Sequence, residues 1–316
     1  MQGLYPYGHG VSAVDVLYER ERLNAVHLLV ERGRAAIIDS GTAHGVPRVL
    51  AALESLRVAP SDVDYVVLTH VHLDHAGGAG QLMARCPNAV LTVHPRGARH
   101  MIDPRRLLAA TVRIYGEETT RRVYGEVLPV AAGRVLETPE GARISLAGRA
   151  LQFFDAPGHA RHQVVLRDAR TGHFFAGDTF GLSYRELDRD GRQFSFPTTS
   201  PSQFDPPALK RSIRRMLALE PQAIYVTHFG QVHDPLRLGA DLCRLIDAHV
   251  AIAERCRGAG AQRNALLRKG IAELLREESR RQEWPLSDDE LMRVFAIDVD
   301  LNAQGLEAWL DSGAGG

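Results

Sequence analysis

The chain has 316 residues, 45% of them hydrophobic, with 38 Lys plus Arg set against 38 Asp plus Glu. That composition supports a sizeable globular core, and the balanced charge gives no net field drawing the protein to nucleic acid or an anionic membrane. Three cysteines without C-x-x-C spacing, no apolar run of membrane-spanning length and no basic-then-apolar leader lead to the expectation of a soluble, cytoplasmic protein with reduced thiols.

Taken in order, residues 11–17, 25–30 and 35–39 read as short strands, the last two joined by the charged turn Glu31-Arg32-Gly33-Arg34. Val49, Leu50, Leu53 and Leu56 have helical spacing over 47–56, and a Pro60-Ser61-Asp62 turn leads into the apolar, β-branched run 65–68. Directly after that run come His70, His72, Asp74 and His75, within Thr69-His70-Val71-His72-Leu73-Asp74-His75-Ala76-Gly77-Gly78. In extended backbone residues i and i+2 point the same way, so His70 and His72 can face one ion. Gly77 and Gly78 allow a turn that lets Asp74 and His75 face another. Four such groups packed together would repel as cations and lose hydration together unless a metal is bound. Imidazole and carboxylate without thiolate suit zinc, iron or manganese.

A short helix is expected over 80–85 and a strand over 90–93, with His94 after it as a structural residue. Residues 95–134 are interrupted by Pro95, Gly97, Pro104, Gly116 and Gly125. Their Arg105, Arg106, Arg113, Tyr115, Arg121, Arg122 and Tyr124 read as solvated faces of one or two helices, neutralised in part by Glu117, Glu118 and Glu126 rather than as a nucleic-acid surface. Strand signals resume at 144–146 and 150–154, where Pro157-Gly158 turns the chain at His159, with His162 close behind. A hairpin over 164–166 and 173–176 ends at Gly177-Asp178-Thr179. The polar connection 179–207 would border a pocket, which makes Tyr184 and the Ser-Thr-Pro run before Gln203 candidates for substrate contact. A helix over 207–219 and a strand over 223–226 then deliver Thr227-His228. Beyond Pro235 the pattern is helical: 236–256, 264–276, a segment opened by Ser287-Asp288-Asp289-Glu290 with capping-box spacing, and a last short helix that Asn302 would cap. The division expected is a domain over 1–235 and a C-terminal helical region over 236–316, which would cover the site or form a homodimer.

Five motifs occur in one order: Asp39-Ser40-Gly41, the His70 to His75 run, Pro157-Gly158-His159, Gly177-Asp178-Thr179 and Thr227-His228. Over about residues 11–235 this resembles the metallo-β-lactamase fold superfamily, whose signature is H-x-H-x-D-H. The resemblance implies an α/β fold, a four-layer αββα sandwich, here with a C-terminal helical appendage. It implies one metal on His70, His72 and His159, a second on Asp74, His75 and His228, and Asp178 shared. Asp39 would lie behind the metal and fix a ligand histidine's tautomer, and His162 becomes a second-shell or substrate candidate. Two divalent ions, zinc first and iron or manganese as alternatives, can share a water and lower its pKa. Asp74 would then orient a bridging hydroxide for attack on a small ester, thioester, lactone or related molecule. The Gly-Cys-Gly-Arg run that follows the aspartate in glyoxalase II is replaced by Gly181-Leu182-Ser183-Tyr184, the tyrosine of the lactonases falls at Gly181, and true β-lactamases generally lack the bridging aspartate. The alternative from another class is an iron-dependent oxidoreductase acting on oxygen or a persulfide. The partner expected is a small-molecule substrate.

Overall fold

In the computed structural model, which describes residues 1–199 and 203–313, the first hydrophobic runs pair into a sheet. Strands β1 (Leu4–Gly8), β2 (Val11–Asp15), β3 (Ala25–Glu31) and β4 (Arg34–Ile38) lie antiparallel in chain order. From β4 onward the sheet is parallel, through β5 (Val63–Val67), β6 (Val90–Val93) and β7 (Val135–Glu137). Parallel neighbours need long crossovers. These are α1 (Val46–Ser55) before β5, α2 (Leu73–Ala76) and α3 (Ala79–Arg85) before β6, and α4 (Pro95–Ile102), α5 (Arg105–Tyr115) and α6 (Glu117–Tyr124) before β7. A second sheet, of six strands, holds β8 (Arg143–Leu146), β9 (Arg149–Asp155), β10 (Val164–Asp168), β11 (Phe174–Gly177), β12 (Ala223–Val226) and β13 (Gly230–His233), with β11 and β12 parallel.

Adjacent residues of one strand go to opposite faces. Leu28, Ile37 and Val66 therefore pack on Val49 and Leu53 of α1 and Leu82 and Met83 of α3. Their neighbours Leu29, Ile38 and Val67 meet Leu151, Phe153, Leu166 and Phe175 of the second sheet. Each such side chain contributes on the order of 2 kcal/mol by leaving water. Burial on both faces is why the runs read as continuously apolar in sequence.

Strands β1, β7 and β13 are additions to the sequence reading. All three lie at ends of the sheet order, where Pro6 costs no ladder bond and a chain such as β7 can leave Leu136 exposed. Residues 95–134 hold three helices rather than one or two: Pro95 opens α4, and Gly116 at φ 80° turns the chain between α5 and α6. The arginines named in that segment are exposed.

The described residues group into two compact units, each assembled from three stretches. The first takes in Met1–Asp155, His162–Gly177 and Pro221–Gln231, and so both sheets apart from the end of β13. The second takes in Ala156–Arg161, Asp178–Glu220 and the chain from Val232 onward. It is built from α7 (Pro206–Leu217), α8 (Pro235–Cys256), α9 (Arg263–Gln282), α10 (Asp288–Val294) and α11 (Ala296–Asp311). The capping box at Ser287 and Glu290 is present. Asn302, by contrast, lies inside α11 and is buried, so it caps nothing: its side chain accepts from Thr199 N at 2.7 Å and donates to Pro197 O at 3.2 Å. A buried amide is stable only when its polar atoms are engaged, and this one ties the 179–207 connection to α11. Trp309 of α11 is likewise buried, at 7% exposure. No helix among the described residues is long and apolar enough to cross a membrane.

His27 on β3 is 2% exposed, stands 5.6 Å from the Tyr225 ring and 5.8 Å from that of Phe175, and has no hydrogen-bond partner for Nε2 among the described residues. Burial pushes its pKa down from 6.5 to about 4, and does the same at His249 of α8. Between pH 6.5 and 4 the unfolded chain therefore binds protons that the folded chain does not, and stability falls as the pH falls through that window. A drop from pH 7 to 5 should cost on the order of 2 kcal/mol for each histidine. Urea midpoints of wild type and His27→Leu measured across that range check this: the variant should lose less stability than wild type, and parallel pH profiles would refute it.

Candidate metal centre

Strand β5 is held between β4 and β6, so its C-terminal end is fixed backbone, and beyond it Leu68 N still donates to Thr92 O at 2.9 Å. His70 and His72 follow in the segment leaving that end, with His70 Nε2 2.9 Å from His72 Nδ1. His72 is the N-cap residue of α2, a single turn that carries Asp74 and His75. The turn expected at Gly77-Gly78 thus begins earlier, as one helical turn with Gly77 as its C-cap.

Asp39 lies at the end of β4, 1% exposed and at φ 59°, in the left-handed region that aspartate and asparagine tolerate better than other residues with a side chain. Its carboxylate accepts from Thr69 N at 2.8 Å, Thr69 Oγ1 at 2.9 Å, Thr227 Oγ1 at 3.0 Å and His75 Nδ1 at 2.9 Å. A carboxylate accepting at Nδ1 fixes the tautomer, so the other ring nitrogen of His75 carries the lone pair. That Nε2 stands 3.2 Å from Asp74 Oδ2. His228, delivered by β12, repeats the arrangement: Nδ1 donates to Leu23 O at 2.7 Å, and Nε2 stands 3.4 Å from the same Asp74 oxygen.

Two lone pairs and a carboxylate oxygen thus converge, and each of Asp74, His75 and His228 offers one ligand atom within 4.8 Å of the others. Such a set repels itself unless a cation or shared protons sit among its members. Burial acts to raise the Asp74 carboxyl, but His75 and His228 beside it outweigh burial and hold it well below the usual carboxylate range. The donor set, two imidazoles and a carboxylate with their outer atoms tied down, is that of a divalent transition-metal site.

His162 packs beside the first pair, its ring 6.2 Å from His70 and 5.7 Å from His72, and its Nδ1 accepts from Val71 N at 3.4 Å. It therefore braces the backbone between the two histidines. His159 and Asp178 belong to the second unit and face each other there, Nε2 to Oδ2 at 3.4 Å. Gly158 precedes the first of these at φ 131°, and a Cβ on it would lie 2.2 Å from Leu209 N. Gly177 precedes the second at φ 49°, where a Cβ would lie 2.5 Å from Thr69 Oγ1. Tyr184 is 1% exposed and its hydroxyl donates to Asp298 of α11 at 3.0 Å, so it is a buried tie to the last helix and not a surface open to substrate. Residues 200–202 of the Ser-Thr-Pro run lie outside the described residues. His94 is structural, its Nδ1 accepting from Arg96 N at 3.0 Å as the N-cap of α4.

The sequence reading missed Thr69, Thr227 and Asn24 as parts of the site's frame. Asn24 Nδ2 donates to Asp74 O at 2.9 Å. The signal available was adjacency, since each threonine directly precedes a candidate ligand histidine, Thr69 before His70 and Thr227 before His228.

The family model described as the metallo-beta-lactamase superfamily matches residues 20–228. Among curated proteins, a hydroxyacylglutathione hydrolase of Synechococcus sp. (strain JA-3-3Ab) is 31% identical over 160 residues, 50% of this chain and 49% of that protein. A metallo-beta-lactamase fold-containing protein of Sulfurisphaera tokodaii is 25% identical over 233 residues, 71% of this chain and 78% of that one. The chain spans about half the length of the first curated relatives it matches. Among solved structures, an archaeal metallo-beta-lactamase superfamily protein from Sulfolobus tokodaii superposes with a TM-score of 0.64 at 19% identity, covering 95% of this chain and 99% of that one.

Proposed function

From the premise that the chain belongs to the metallo-beta-lactamase superfamily, we propose that it is a dinuclear metal-dependent hydrolase of a small ester, thioester or lactone. The observation that carries this reading is the convergence of His75 Nε2 and His228 Nε2 on Asp74 Oδ2, with both Nδ1 atoms already engaged. In this reading Asp74, His75 and His228 would hold one ion and His70, His72 and His159 the other, with Asp178 as a further carboxylate ligand. A divalent ion held there, zinc first, would supply Lewis acidity and acidify water at neutral pH.

The protein's own groups do the rest. Asp39 keeps His75 in the metal-binding tautomer. Leu23 O does so for His228. His162 holds the Val71 amide and, with it, the spacing of His70 and His72. Asp74 is held ionised by its histidine neighbours, so it can orient an attacking water, take the proton that water gives up and pass that proton to the leaving group. The similarity to proteins named hydroxyacylglutathione hydrolase makes thioesters the first panel to try.

Treating the purified chain with a chelator and dialysing it should lower thioester or lactone turnover at least about a hundredfold, and added zinc should restore it. Thermal unfolding followed on the same samples should show a lower midpoint without metal, because a ligand that binds the folded state stabilises it. Undiminished turnover by demonstrably metal-free protein would overturn the proposal.

A further inference from the structure

Tyr18, Tyr115 and Tyr124 are far apart in sequence yet form one cluster. The Tyr18 and Tyr124 rings stack at 6.2 Å, the Tyr115 and Tyr124 rings stand 6.2 Å apart, and Tyr18 Oη donates to Tyr124 Oη at 3.5 Å. Around them pack Leu107, Leu108, Val123 and Val127, together with Leu73, the residue before Asp74. Tyr124 is 7% exposed, while Tyr18 and Tyr115 are half-buried, so the cluster keeps an open side. All three phenols lie within the field of the Asp74 carboxylate.

Three hydroxyls carry three hydrogens. The Tyr18 to Tyr124 bond uses one of them, so the cluster keeps O–H groups to donate. Burial keeps the phenols protonated, pushing Tyr115 up to about 12 and the other two higher. The same burial disfavours a charged ligand group at this spot. Aromatic and aliphatic faces with a hydroxyl donor among them match a flat or branched apolar group that bears a neutral oxygen acceptor.

We propose that Tyr18, Tyr115 and Tyr124 form the substrate-recognition wall beside Asp74, selecting substrates whose acyl part is apolar, uncharged and carries a carbonyl or ether oxygen. This rests on the hydrolase reading for its meaning, but it can be tested without turnover. The full chain, with its metal as purified and counted, is titrated by calorimetry with 4-phenyl-2-butanone and with butylbenzene, which lacks the oxygen. Tyr124→Phe should weaken the ketone about 3–10-fold, as expected for one neutral hydrogen bond, with butylbenzene and metal content unchanged. Tyr115→Phe, at a half-buried position where folding is not at stake, should move in the same direction. With any ester the enzyme hydrolyses, the ketone should compete and these variants should raise KM more than they lower kcat. No ketone binding by wild type, or equal binding by both variants, overturns the wall. A wild type that binds the ketone through these hydroxyls yet hydrolyses nothing supports the wall and removes only the hydrolase reading.

Discussion

Asp74→Ala is expected to lower kcat/KM about a thousandfold and to empty the cluster of metal. The change removes the only anion among Asp74, His75 and His228 and leaves two imidazole lone pairs facing a void, so a divalent ion loses both charge and geometry there. The side chain is 20% exposed and its carboxylate lies against His75 and His228, so the fold should survive. Far-ultraviolet circular dichroism and the unfolding midpoint establish that survival. Metal analysis and single-substrate kinetics on the same sample then read the effect. Asp74→Asn, of the same shape without the charge, should fall nearly as far. A folded Asp74→Ala protein that keeps its metal and its rate would remove this residue from the chemistry.

Asp39→Ala should act on both stability and metal binding. The carboxylate is 1% exposed and holds Thr69 N, Thr69 Oγ1, Thr227 Oγ1 and His75 Nδ1 at once. Truncation strands those buried donors, a loss on the order of 3–5 kcal/mol for a charged partner removed from an intact buried network. It also frees the His75 tautomer, which should weaken metal about 10–100-fold. Asp39→Asn keeps the left-handed backbone comfortable, since asparagine tolerates φ 59°. Its amide nitrogen, however, would turn a donor towards other donors. Urea midpoints and competitive metal titration separate the two effects: a variant destabilised but binding metal as tightly as wild type would make Asp39 a structural residue alone.

Much of the centre was legible because its chemistry is local. His70, His72, Asp74 and His75 fall within six residues just past one strand, and that strand had to be apolar because it is covered on both faces. Asp39 was readable from Asp-Ser-Gly at another strand end, and His228 from a threonine and histidine after 223–226. The edge strands β1 and β7 were not legible, since β1 contains Pro6 and β7 leaves Leu136 in solvent, so neither shows an alternating pattern. Nor was the tyrosine cluster: Tyr18, Tyr115 and Tyr124 meet only through tertiary packing, and in sequence Tyr124 looked like part of a polar helical face beside exposed Arg121 and Arg122. Asn302 misled for a related reason. Its cap-like position said nothing of Thr199, more than a hundred residues earlier, to which its side chain is bonded.

The central claim is that this chain binds divalent metal through Asp74, His75 and His228 as part of a dinuclear site. Elemental analysis of the full chain, purified without added metal, tests it most directly. The account predicts about two divalent ions per chain, with zinc as the dominant element. A folded protein that carries no metal and takes up none on titration would contradict it.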